Sequence, residues 1–185
     1  MNNKGFTLIE AVVALAIFIA ISSVLAQIVF VSIQNQIKVT LTQNMFNQAI
    51  FSLDKIEKEL RMAKKDRLGT CITAEKNYAV SGSSITFLYN NQETGDYVCK
   101  KFELSDGKIK EHISTNDTSA DLPATGVDIT ASSINIDALQ FNVVNDGVDT
   151  LQPKITITMT ITSSSLENQT PIKLQTTISQ RRIDL

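Results

Sequence analysis

The chain has 185 residues, 17 Lys and Arg against 19 Asp and Glu, and a formal net charge of −2. That length leaves room for one modest domain beside an anchor. The near-balanced charge, with no basic stripe, argues against direct nucleic-acid binding, and one His with two Cys does not make a zinc site.

A short polar leader, Met1–Lys4, precedes an apolar stretch from Gly5 to Ile33, and no charge, Pro or Gly occurs from Ala11 to Gln36. About 20 apolar residues rising about 1.5 Å each are enough to cross a bilayer core of roughly 30 Å as a helix. Ser22, Ser23 and Gln27 interrupt the apolar run. Such residues are tolerated best where another helix accepts their hydrogen bonds. Three readings compete for the stretch. A secretory signal peptide has a shorter apolar core and a small-residue cleavage site behind it, which is not found here. A plain uncleaved anchor is the second reading. The third is a chain cut before the apolar run, so that the helix is retained.

The third reading rests on Gly5-Phe6-Thr7-Leu8-Ile9-Glu10, followed at once by Ala11-Val12-Val13-Ala14-Leu15-Ala16-Ile17. This junction closely resembles the prepilin leader of the type IV pilin superfamily, which includes pilins, competence pseudopilins and type II secretion pseudopilins. The resemblance implies cleavage between Gly5 and Phe6 by a membrane-embedded prepilin peptidase, with N-methylation of Phe6. Glycine suits such a site because, lacking a side chain, it lets the backbone lie close to a protease cleft. The resemblance also gives Glu10 a role. A carboxylate beside hydrocarbon is costly and is either solvated in the headgroup region or paired. In the superfamily this Glu is thought to meet the N-terminal amine of a neighbouring subunit, here the amine of Phe6, and so to set register during assembly.

Beyond Ile33 the helical pattern continues. Ile37, Leu41, Met45, Ala49, Leu53, Ile56, Leu60 and Ala63 recur at steps of three and four, one apolar stripe on a polar helix. Glu57 and Arg61 form a favourable i,i+4 pair. Lys64, Lys65 and Arg67 suit a helix C-terminus, and Gly69 suits its termination. The expected organisation is therefore a leader at 1–5, a transmembrane or filament-core helix at 6–33, an amphipathic helix packing on the head at 34–68, and a β-rich head at 69–185. The helix itself is expected to run from about Phe6 to about Lys65.

Lys4 before the apolar run favours a cytoplasmic N-terminus and an extracytoplasmic head. In that compartment Cys71 and Cys99 are expected to form a disulfide, the alternative being two free thiols. After Gly69 the pattern changes to period two. Strands are expected at Ser84–Tyr89, Tyr97–Leu104, Lys108–Ile113, Ile134–Val144, Lys154–Ser163 and Ile172–Arg181. Asp106-Gly107 is a hairpin signal, and a phase shift near Ala138-Leu139 suggests a bulge. Ser114–Ser133, Asn145–Gln152 and Glu167–Pro171 read as loops or turns. The fold class is α+β, one long N-terminal helix packed on a mostly antiparallel β-sheet head, as in the heads of pseudopilins and minor pilins.

No catalytic constellation stands out. His112 lies between charged neighbours on a strand and is expected to face solvent. Asn145-Asp146-Gly147-Val148-Asp149 lacks the spacing and closing Glu of a calcium loop and reads as a polar turn. No cofactor or metal is expected, and no enzymatic activity. The reading is a structural subunit, expected to be a minor one, of a type IV pilus-like filament, which would meet the prepilin peptidase, other pilin or pseudopilin subunits, the membrane and a filament assembly platform. It would be a single-pass membrane protein before assembly and part of an extracytoplasmic or cell-surface filament afterwards. The rivals are an uncleaved, membrane-anchored binding module such as an adhesin or sensor ectodomain, and a membrane-tethered hydrolase.

Overall fold

The computed structural model describes residues 5, 7–91, 94–147, 151–163 and 171–180. Two compact units divide between Asn44 and Met45. In the first, helix α1 (Leu8–Leu60) starts behind Thr7. The Thr7 carbonyl accepts from the N–H of Glu10 and Ala11 at 3.1 and 3.2 Å, and its hydroxyl oxygen lies 3.4 Å from the Glu10 N–H. Thr7-x-x-Glu10 is thus the sequence form of a capping box. Nothing in α1 breaks the ladder, since no Pro or Gly occurs within it. The large apolar side chains from Leu8 to Ile33 are exposed.

The second unit is the head. Here α1 buries Met45, Ala49, Ser52, Leu53, Ile56 and Leu60. This is the C-terminal part of the predicted stripe, and Ser52 joins it by bonding back to the Gln48 carbonyl at 3.0 Å. The helix stops at Leu60, earlier than the Lys65 expected from the stripe. Met62 N–H takes the Glu59 carbonyl, which tightens the last turn, and the Tyr78 hydroxyl donates to the Leu60 carbonyl at 2.7 Å. These bonds occupy groups that a helix end leaves open. Ala63 remains in the core, but as part of strand β1 (Ala63–Lys64). Gly69 accordingly does not end the helix; its N–H donates to the Asp66 carboxylate at 2.7 Å.

The strands that follow are β2 (Ala79–Ser81), β3 (Ser84–Asn90), β4 (Tyr97–Ser105), β5 (Lys108–Ile113), β6 (Val127–Asp128), β7 (Ile134–Val144), β8 (Lys154–Ser163) and β9 (Ile172–Ser179). All described pairings are antiparallel. They form two sheets. One has the order β1-β3-β4-β5-β6 with β2 also on β3; the other is β7-β8-β9. The short strands β1, β2 and β6 were not apparent in the period-two pattern. The β4–β5 hairpin turns at Asp106-Gly107, both with positive φ (53° and 69°), the twist that favours Asp-Gly. The expected bulge lies between Ile136 and Ala138, just before the predicted position.

One hydrophobic core joins α1 and both sheets, with Ile56 and Leu60 from the helix, Ile85, Phe87, Phe102 and Ile109 from the first sheet, and Ile155, Ile157, Met159 and Ile161 from β8. The alternation along β8 places those four inward and its threonines outward. A smaller cluster on the other face of the first sheet contains Cys71, Ile72, Leu88 and Cys99.

Candidate functional site

The N-terminal motif is built by the first turn of α1. Glu10 is exposed there, near the positive pole that favours an acidic side chain. Among the described residues no ion pair reaches its carboxylate. Gly5 is also exposed, and a Cβ placed on it would meet nothing within 4 Å. Phe6, the residue expected to follow the cut, lies outside the described residues, as do Met1–Lys4. The motif therefore offers a capped helix start, an open glycine and a carboxylate without an intramolecular cation among the described residues. The capping relation between Thr7 and Glu10 was available in the sequence as Thr-x-x-Glu and was not used there.

In the head, Cys71 and Cys99 are joined by a disulfide with Cα atoms 5.5 Å apart. Both ends are held by backbone-directed hydrogen bonds. The buried Asp66 carboxylate accepts from the N–H groups of Leu68, Gly69 and Thr70 through Oδ1, and from Cys71 and Ile72 through Oδ2 at 2.8 and 2.9 Å. Burial alone would raise the Asp66 pKa, but these N–H donors outweigh it and hold the carboxyl below its usual range. On the other side, Cys99 N–H donates to Ser114 Oγ at 2.7 Å, and Ser114 N–H to the Cys99 carbonyl at 2.9 Å.

A charged seam lies between α1 and the first sheet. Lys55 Nζ meets Glu111 Oε2 at 2.5 Å; Lys100 Nζ meets Glu59 Oε2 at 2.9 Å and Glu111 Oε1 at 3.2 Å. Lys100 also stands 4.3 Å from the centre of the Tyr89 ring, within cation–π range. Burial pushes the Glu59 carboxyl up, and Lys100 offsets this only in part. For Glu111, burial is outweighed by Lys55 and Lys100, and its pKa is lowered. Burial opposes the Lys100 charge, but Glu59 and Glu111 hold its pKa above the ordinary value. Their pairing depends on which strand crosses which turn of α1. The Glu57–Arg61 pair forms as expected.

His112 corrects an expectation. It is buried, 3% exposed, where solvent exposure was predicted. Its strand position does face away from α1, but residues 114–133 fold back over that side. Nδ1 lies 2.8 Å from the Pro123 carbonyl, and Nε2 lies 2.9 Å from Glu103 Oε1, off the line of a hydrogen bond. A Cβ on Gly126 would come within 2.6 Å of Nε2. The imidazole thus fastens a loop to the sheet. In the Asn145-Asp146-Gly147 segment, the Asp146 carboxylate accepts from the N–H groups of Asn77 and Tyr78 at 2.8 and 3.4 Å, and its carbonyl accepts from Lys76 Nζ at 2.9 Å. It is a turn fastened to the strand entry; Val148 and Asp149 lie outside the described residues. Among the described residues no cluster of three or more His, Cys, Asp or Glu is arranged to hold a metal.

Residues 1–26 match the family model of the prokaryotic N-terminal methylation motif. No curated protein matches the chain. Its fold is similar to that of a type IV-like pilin from Thermus thermophilus, at 8% identity and a TM-score of 0.50, over 74% of this chain and 97% of the other. The chain thus carries a prokaryotic N-terminal methylation motif at residues 1–26 and, behind it, a long N-terminal helix packed on antiparallel sheets, a fold similar to that of a type IV-like pilin.

Proposed function

We propose that the chain is a minor structural subunit of a type IV pilus-like filament. It is stored in the membrane through the apolar part of α1, with its N-terminus in the cytoplasm. The prepilin peptidase cuts it between Gly5 and Phe6 and methylates the new amine, and the assembly platform adds it to other pilin or pseudopilin subunits. The observation that carries this reading is Glu10, a carboxylate exposed in the first turn of an apolar helix with no cation paired to it among the described residues. A new amine on Phe6 of a neighbouring subunit supplies the missing positive charge, and withdrawal from water strengthens that pairing. The open surroundings of Gly5 support the cleavage step, because the chain itself places no steric demand for glycine there. Minor status is read from the β-rich head and its varied loops.

Intact mass and N-terminal sequencing of the membrane-extracted protein, with and without a prepilin peptidase, test the reading. A chain starting at methylated Phe6 only when the peptidase is present is the expected result. A chain that keeps Met1 in the presence of active peptidase removes the filament reading and leaves the anchored ectodomain. Glu10→Ala is expected to insert into the membrane normally and to enter filaments poorly; normal incorporation takes Glu10 out of the assembly mechanism.

A further inference from the structure

We propose that residues 114–133 form a proton-operated strap on the head, closed over the outer face of the first sheet when the His112 imidazole carries both ring protons and loosened when it loses one. This concerns the head alone and does not rest on the filament reading.

The strap is fastened at both ends. At its start, Ser114 N–H donates to the Cys99 carbonyl at 2.9 Å and Ser119 N–H to the Thr70 carbonyl at 3.2 Å. At its end, β6 pairs with β5, and Ile129 N–H donates to the Ile109 carbonyl at 2.9 Å. The middle is held differently. The N–H groups of Asp121 and Leu122 bond within the strap, to the carbonyls of Thr118 and Ser119. The Leu122 side chain packs on the small cluster around the disulfide. The Pro123 carbonyl reaches the sheet through His112 Nδ1, 2.8 Å away.

His112 stands between two groups that only accept. The Pro123 carbonyl has no proton to give, and neither has an ionised carboxylate. Glu103 is such a carboxylate. Its Oε2 pairs with Lys101, and its Oε1 lies 2.9 Å from His112 Nε2. Lys101 foremost, with a smaller part from His112, outweighs burial and holds the Glu103 carboxyl below its usual range. A neutral imidazole has one N–H and one lone pair. Whichever nitrogen keeps the proton, the other turns its lone pair on an acceptor, either Pro123 or Glu103. The residue is 3% exposed and Nε2 is enclosed, so the conflict is not relieved by bulk water. The imidazolium answers both groups. It donates to Pro123 through Nδ1 and faces the Glu103 charge through Nε2.

The neighbouring charges are engaged elsewhere. On β5, Lys110 meets Asp106 at 3.1 Å, and Asp128 of β6 pairs opposite Lys110 in the sheet. Glu111 meets Lys55 and Lys100 in the seam beside α1. Within the strap, Asp121 accepts from Asn116 Nδ2 at 2.6 Å, and Asp117 lies 3.4 Å from the Thr70 hydroxyl. Gly126 brings only backbone to the ring, where a Cβ would meet Nε2 at 2.6 Å. Glu103 is therefore the carboxylate that decides how many protons the closed strap requires.

His112 is the single histidine of the chain, so imidazole nitrogen signals in NMR spectra of the full-length protein in detergent micelles report on it alone. Hydrogen exchange over residues 120–126, corrected for the intrinsic effect of pH, reads the strap. Both are measured at about pH 5 and about pH 8, the range in which an imidazole changes charge. Two protonated ring nitrogens are expected at the lower pH. Protection of the strap is expected to fall about tenfold at the higher pH, the scale of one charge-assisted hydrogen bond. Glu103→Gln is expected to abolish that fall, because the Gln NH2 donates to a neutral Nε2 while Nδ1 keeps its proton for Pro123. Equal protection at both pH values in the unsubstituted chain would overturn the proposal. So would a closed strap with one ring proton at the lower pH, the same fall in Glu103→Gln, or loss of protection at both pH values in that variant.

Discussion

Lys100 and Glu111 lie on adjacent strands with Nζ 3.2 Å from Oε1, and each residue is only 7% exposed. Glu111 also serves Lys55, so one buried carboxylate answers two cations, whereas Glu59 answers one. The two glutamates are therefore not equivalent. Replacing Glu111 by Gln is expected to destabilise the protein by about 3 kcal/mol, the scale of a broken buried pair. Glu59→Gln should cost about 1 kcal/mol, because Gln still accepts from Lys100. Urea unfolding of the detergent-solubilised chain at neutral pH measures both. Equal losses would show that the seam does not depend on the shared position of Glu111.

The pH dependence of the two residues has opposite signs. The Glu111 pKa is lowered by folding, so its contribution is present above the unfolded value and is lost as pH falls through the folded one. The Glu59 pKa is raised, so the folded state takes up this proton first and gains relative stability as pH falls through the raised value. The cost of Glu59→Gln is accordingly expected to grow on mild acidification while that of Glu111→Gln persists. Unfolding curves across that range give the comparison.

Asp66 should behave as the keystone of the segment before the disulfide. Asp66→Ala leaves the N–H groups of Leu68, Gly69, Thr70, Cys71 and Ile72 without their acceptor. A loss of about 3 kcal/mol is expected, with faster hydrogen exchange at those amides. Because folding lowers the Asp66 pKa, the same contribution holds above the ordinary value of 3.8 and disappears as pH falls through the folded value. Unchanged exchange in the variant would mean that the loop holds its form without the carboxylate.

The disulfide closes a separation of 28 residues, for which chain entropy predicts about 3.5 kcal/mol. Replacing both Cys71 and Cys99 by Ser should lower stability by that amount. A thiol assay on the exported protein should find neither cysteine reactive, and two reactive thiols would contradict the bond.

The packing of Gly126 against His112 predicts a different kind of failure. Gly126→Ala brings a methyl within 2.6 Å of Nε2 and 2.9 Å of Lys110 Cβ, and about 1–3 kcal/mol of overpacking is expected. His112→Ala relieves that clash while losing the tie to Pro123. Combined, the two substitutions should cost less than the sum of the separate losses. A double-mutant cycle read by thermal unfolding checks this, and strict additivity would show that the two residues do not act on each other.

Much of the architecture follows from local pattern, and the exceptions have physical causes. Lys108–Ile113, Ile134–Val144 and Lys154–Ser163 take the expected bounds because their alternation matches the side chains that the sheets bury. Ala63 fitted the helical stripe equally well as a core strand residue, and its pairing opposite Tyr89 decided between them. The short β6 depends on a partner in β5 rather than on its own two residues. At the N-terminus, the Thr7-x-x-Glu10 capping relation could have been read from the sequence because both residues lie within the first helical turn. The charged seam and the His112 fastening were not, since each joins residues whose proximity arises from tertiary packing.

The exit of α1 has a mechanical consequence. Tyr78 holds the Leu60 carbonyl, while buried Gln180, just after β9, donates to the Ala63 carbonyl at 2.7 Å and accepts from Asn77 Nδ2 at 3.1 Å. Tension applied along the helix would arrive where segments from the start and the end of the head are fastened within four residues of one another. The load is then shared across both sheets instead of peeling strands away one at a time, so detaching the helix requires several bonds to fail together.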